Sequence, residues 1–241
     1  MNATSPSLRV QRAVWAAVIL LALIGVAIVA RRTALLTPIL LNGDQPTAAA
    51  SASSGGPFGA LDDIFARYPR LTLLHIIPGL LFVVLGPIQF SAALRRRYRR
   101  WHRWSGRVLL LCGLVIGGSA LVMSVAMPAM GGAAQATATL LFGAFFLIAL
   151  ALGFRSIRRG NLVRHREWMI RAFSTGLAVA TIRPIVGLLF ATSGLSGLTS
   201  EQFFGIGFWL GFVLHLIAAE GWIRWTRSIA AAPGLRGAGS A

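Results

Sequence analysis

Ala136–Phe154 reads ATATLLFGAFFLIALALGF, nineteen consecutive residues without a charge. A helix rises ~1.5 Å per residue, so such a run covers ~28 Å, close to the ~30 Å of a bilayer's hydrocarbon core. Five further runs have the same character: Ala13–Ala30, Leu71–Leu94, Val108–Met127, Ala172–Phe190 and Phe203–Ile223. The whole chain agrees with them. Of 241 residues, 56% are hydrophobic and only 12% charged, with mean hydropathy +0.73. A water-soluble fold of this size cannot hide so much apolar surface, and a disordered chain would not carry it. The spacing therefore predicts an all-α integral membrane bundle with six transmembrane helices.

Four regions follow. Residues 1–34 form an N-terminal tail and first transmembrane helix, read as uncleaved because no small-x-small site follows the apolar run directly. Residues 35–69 form an outer linker rich in Pro, Gly, Ala and Ser, including AAASASSGGP at 48–57. It ends in a short amphipathic helix whose Leu61, Ile64, Phe65 and Tyr68 fall at i, i+3, i+4, i+7, a stripe expected to lie on the outer surface. Residues 70–227 form a five-helix membrane core, and 228–241 a flexible C-terminal tail.

The net charge is +17, carried entirely by arginine. Its distribution between apolar runs argues for anionic headgroups at the cytoplasmic face rather than nucleic acid. Seven arginines fall in Arg95–Arg107, six in Arg155–Arg171, two in the N-terminal tail and three at the C-terminal end. The other side has four: Arg31, Arg32, Arg67 and Arg70. This asymmetry places both termini and both basic loops in the cytoplasm, with the chain in a bacterial inner membrane. Arg31 and Arg32 are local exceptions.

Polar residues inside spans are costly and mark function or interhelical contact. Here they are His75, Gln89, Arg183, His215 and Glu220. His215 fits an interhelical hydrogen bond better than a ligand role. At ~18 Å from the outer side against ~6 Å for His75, it cannot share a haem with that residue. Arg183 cannot deprotonate and needs a counter-charge, a water-filled cavity or an anionic ligand. With His75, at similar depth, it is expected to border one polar cavity toward the second and sixth spans.

His102 and His165 open the third and fifth spans in similar strings, RRWHRWSGR (Arg99–Arg107) and RHREWMIR (Arg164–Arg171). Each sets a histidine after a basic run, then a tryptophan suited to the interface, then an arginine at the helix entrance. Neutral imidazoles at equal depth suit a metal or haem iron, and Arg103, Arg107 and Arg171 suit an anionic group such as a propionate. The competing reading has both histidines meeting headgroups and helix ends. A lone cysteine, Cys112, excludes an intrachain disulfide and cysteine-rich metal clusters. No phosphate loop, catalytic triad or HExxH pattern is present, which leans away from an enzyme.

Taken in order, His75-Ile-Ile-Pro-Gly79, Gly86-Pro-Ile-Gln89, His102-Arg-Trp-Ser-Gly-Arg107, Arg158, His165-x-x-Trp-Met-x-Arg171, Arg183 and Ala219-Glu220 resemble the bacterial membrane proteins catalogued as domain of unknown function 2306. The likeness covers about residues 70–223 and implies a helical membrane bundle without fixing an activity. His215 departs from it, since asparagine is expected there. A looser likeness links histidines on a helix bundle to b-type membrane cytochromes. The combined expectation is a redox-linked or haem b-binding membrane protein with His102 and His165 as ligands and a redox or assembly partner in the membrane. The alternatives are a ligand-free scaffold or assembly factor, or a small-molecule transporter.

Overall fold

The computed structural model describes residues 6–42 and 57–231; the linker string at 48–56 and the tail from 232 lie outside the described residues. Nine helices and no strand occur among them. Six are long and apolar enough to span a membrane: α1 (Pro6–Asn42), α3 (Pro69–Gln89), α5 (Arg99–Ala126), α6 (Gly132–Arg158), α7 (Leu162–Ala191) and α9 (Ser200–Ala231). The short ones are α2 (Pro57–Arg67), α4 (Ala92–Arg97) and α8 (Ser193–Ser196). Helices satisfy every backbone group within the segment, which is why an apolar chain in lipid adopts them.

Parts of this differ from the sequence reading: α1 runs on to Asn42, into the stretch expected to be linker. The second span was expected to reach Leu94, but α3 stops at Gln89. Its last carbonyls turn outward to Arg95, whose Nη1 donates to Gln89 O at 3.3 Å and Phe90 O at 2.9 Å. Ser91 then caps α4, accepting from Leu94 N at 3.4 Å. The stripe on α2 is also not a surface feature: Leu61 is buried in the core and Asp62 beside it is 8% exposed.

The hub is α7, which packs on α1, α3, α6 and α9, while α5 bridges α3 and α6. Two aromatic-rich clusters fill the interior. One joins Phe82, Leu109, Phe146, Leu150 and Phe173 in the half nearer the arginine-rich turns. The other joins Leu61, Phe142, Ile182, Phe203, Phe204 and Phe212 nearer the opposite end. Phe142 stacks on Phe212 with centroids 4.7 Å apart, and Phe82 meets Phe146 edge to face at 5.5 Å. Small residues set the spacing, since without a hydrophobic drive between helices in lipid, close contact is what holds them. A Cβ at Gly86 would overlap the Phe173 ring, and one at Gly117 the Leu147 side chain.

Candidate functional site

Two polar clusters stand out, one at each end of the bundle. At the arginine-rich end α6 stops at Arg158, Gly160 takes φ 73°, and Asn161 caps α7 by accepting from Arg164 N at 2.9 Å. So tight a hairpin lays the first turn of α7 on the last turns of α6. His165 Nδ1 therefore reaches Gly153 O at 2.9 Å. A carbonyl only accepts, so Nδ1 carries a proton, and in the neutral ring Nε2 is the nitrogen that presents the lone pair. Metal-ligating histidines are commonly held by this carbonyl contact through their other nitrogen.

His102 lies on the first turn of α5, set there by the α3–α4 turn. Its Nδ1 is buried and makes no hydrogen bond among the described residues. His165 and Arg95 both lie within electrostatic reach of its ring, and Arg95 within reach of Arg166. Arg166 also donates to Thr226 Oγ1 on α9 at 3.2 Å. Two imidazoles and two guanidinium groups thus lie within electrostatic reach of one another at the arginine-rich end.

The other residues singled out from sequence have partners of their own. Gln89 donates to Ser105 Oγ at 2.7 Å, tying the end of α3 to α5. His75 Nδ1 meets Ser119 Oγ at 2.9 Å, also across α3 and α5. The serine hydroxyl is spent on Val115 O at 2.5 Å, so the imidazole is the donor. His215 joins α9 to α7, its Nε2 2.7 Å from Thr181 Oγ1 and its carbonyl accepting from Ser174 Oγ at 2.7 Å. Arg171 was expected to hold an anionic group. Instead its guanidinium grips Glu220 through Nε at 2.5 Å and Nη2 at 3.0 Å, over the Trp168 ring. Arg107 stacks on Trp104 with 5.0 Å to the centroid, and both Arg103 and Arg107 are exposed. A further clasp, signalled by no sequence pattern, has Arg227 of α9 forking onto the buried Glu167 of α7 through Nε at 2.6 Å and Nη2 at 2.5 Å.

At the opposite end Arg31 and Arg32 of α1 both hold Asp62 of α2, at 2.6 and 2.7 Å. Arg32 also donates to Leu61 O at 3.3 Å and lies 4.3 Å from the Phe65 ring centroid. Both cations thus take a counter-charge from the short helix after the linker. Arg183 belongs to this cluster. Its guanidinium lies 5.7 Å from the Phe58 ring centroid, within electrostatic reach of Arg31, Arg32 and Asp62. It makes no hydrogen bond or ion pair among the described residues. Arg183 was expected to border a polar cavity with His75; His75 bonds Ser119 instead of Arg183, whose neighbours come from α1 and α2.

Iron can be tested against the donors present. Among the described residues no three or more His, Cys, Asp or Glu side chains gather as a metal site. A closed four-ligand zinc centre is not offered by such a set. Two imidazoles, one already oriented by a carbonyl, with cations within electrostatic reach, are donors that would suit haem iron, which needs only one or two ligands from protein.

The family model described as Predicted membrane protein (DUF2306) matches residues 72–223, more than half of the chain, so the chain belongs to that family. No curated protein and no solved structure matches it.

Proposed function

We propose that this family member is a redox-linked protein of the bacterial cytoplasmic membrane that holds haem b at its arginine-rich end through His102 and His165. The observation that carries the reading is the state of the two rings. His165 is fixed by Gly153 O with Nε2 left as a lone pair, and His102 keeps a buried Nδ1 without a partner. An unpaired buried polar atom costs ~1–3 kcal/mol. Gln89, His75 and Arg171, by contrast, spend their polar atoms inside the bundle.

Iron in a porphyrin supplies one-electron redox chemistry. The chain's own part would be to present the two imidazoles, with the His165 ring held through Nδ1, and to offer Arg95 and Arg166 as cations for the group's carboxylates. The arginine-rich turns face the cytoplasm in this reading, supported by the arginine asymmetry between the two sides; Arg31 and Arg32 remain exceptions to it, each with a counter-charge in Asp62.

The rival is a ligand-free scaffold or assembly factor, favoured by the clasps Arg171–Glu220 and Arg227–Glu167, which consume polar groups structurally. Transport has less support, since α3 and α7 run unbroken through Pro78, Pro87 and Pro184. The test is the absorption spectrum of protein purified from haem-replete cells, with iron analysis. A Soret band and a sharp reduced α-band are expected, lost in His102→Ala and His165→Ala and kept in Arg171→Met. A colourless, iron-free protein that takes up no hemin in a histidine-dependent way sinks the haem reading and leaves the scaffold.

A further inference from the structure

The cluster at the opposite end plays no part in the histidine reading. Arg31 and Arg32 pair with Asp62 and Arg183 lies within electrostatic reach of all three, so among the described residues three cations face one carboxylate there. Asp62 is held by the two α1 arginines. Arg183 is left facing an aromatic ring, although a guanidinium does not lose its proton in proteins.

Depth sharpens the point. The 30 residues of α7 cover ~45 Å, against ~30 Å of hydrocarbon, so ~7 Å projects at each end if the helix is centred. Arg183 precedes the end of α7 by ~12 Å and so sits ~5 Å inside the apolar boundary. That is within reach of the phosphate layer for an arginine side chain. The flank is apolar, formed by Phe58, Leu61 and Phe65 of α2.

We infer that Arg183, with Arg31 and Arg32, binds the phosphate group of an anionic ligand. A phosphate ester offers several oxygens to planar guanidinium forks converging from α1 and α7, and its charge offsets the excess. The same chemistry is offered by an anionic lipid headgroup in the outer leaflet and by free inorganic phosphate. In either case Asp62 competes with the ligand for Arg31 and Arg32 while keeping those side chains in place.

The test uses the full chain, delipidated in a neutral detergent, with phosphatidylglycerol, phosphatidylcholine and inorganic phosphate as separate probes. Native mass spectrometry reads lipid retention and thermal melting reads phosphate. Charge-assisted hydrogen bonds of ~1.5–3 kcal/mol correspond to roughly tenfold or more in affinity. Phosphatidylglycerol should therefore be retained about tenfold better than phosphatidylcholine. Arg183→Gln should lose that preference, Arg183→Lys should keep part of it, and Asp62→Asn should strengthen it. A phosphate-dependent rise in melting temperature that vanishes in Arg183→Gln, without lipid preference, assigns the same site to free phosphate. If neither probe separates the wild type from Arg183→Gln, the inference fails. If Arg183→Gln does not fold, Asp62→Asn decides, and unchanged or weaker phosphatidylglycerol and phosphate binding there overturns the site.

Discussion

Removing one member of the Arg171–Glu220 pair at a time should give unequal losses, and the inequality is readable from exposure. The Arg171 side chain is 16% exposed and the Glu220 side chain 40%. Glu220→Gln leaves a mostly buried guanidinium with an amide in place of a carboxylate. Breaking a fully buried pair costs ~3–5 kcal/mol and an exposed one ~0–1. The intermediate burial here sets the expectation at ~2 kcal/mol. Arg171→Met keeps most of the aliphatic stem over Trp168 and frees Glu220 to turn toward headgroup water, at ~1 kcal/mol. For a chain of this size 1 kcal/mol moves the melting temperature by ~2–4 °C. Glu220→Gln should thus lower it by ~4–8 °C and Arg171→Met by ~2–4 °C. The double variant should fall by less than the sum, because the second substitution removes a partner already lost. Thermal melts in one detergent, with ligand content measured alongside, make the cycle. Additive losses, or a larger drop for Arg171→Met than for Glu220→Gln, would refute a clasp organised by the buried cation. Loss of bound chromophore in Arg171→Met alone would return Arg171 to the ligand site.

Other expectations concern packing, ligand choice and orientation. Gly86→Val should be destabilising by ~1–3 kcal/mol, because its side chain overlaps the Phe173 ring, and should shift the melt without altering the spectrum of what remains folded. His75→Leu removes the bond to Ser119 Oγ and should cost ~1 kcal/mol with any haem spectrum unchanged; a lost Soret band there would move the ligand site to α3. In a Cys112→Ala background, Gly160→Cys should resist an impermeant thiol reagent in intact cells and react after lysis, whereas Ala49→Cys should react from outside. The opposite pattern inverts the proposed topology.

The spans were legible because lipid imposes a length and a polarity that a run such as Ala136–Phe154 satisfies without help from tertiary contacts. The end of α3 was not legible, since Phe90–Leu94 continues an apolar pattern and the stop depends on Ser91 and Arg95 meeting the freed backbone groups. The α2 stripe showed which face is apolar, but periodicity does not say what covers it. Here α2 carries Leu61 into the core and brings Asp62 to α1. The repeated strings around His102 and His165 exposed a common depth at the entrances of α5 and α7. The hydrogen bond that fixes His165 depends on the Gly160 turn and on its placement against Gly153, which no string displays.

The arginine pairings show the same division between what a count conveys and what a fold decides. Six acids facing twenty-three arginines is a shortage visible in the sequence, and it implies that some buried cation goes without a carboxylate. Which one depends on helix register. Glu220 meets Arg171 across forty-nine residues, Glu167 meets Arg227 across sixty, and Asp62 meets Arg31 across thirty-one. With those three acids engaged, Arg183, inside a span where water cannot easily stand in, has no ion pair among the described residues. A bundle that meant only to be stable would replace such a residue with an apolar one at little cost, as buried ion pairs often tolerate. Its position beside Arg31, Arg32 and the aromatic flank of α2 is therefore better explained by a ligand's charge than by the needs of the fold.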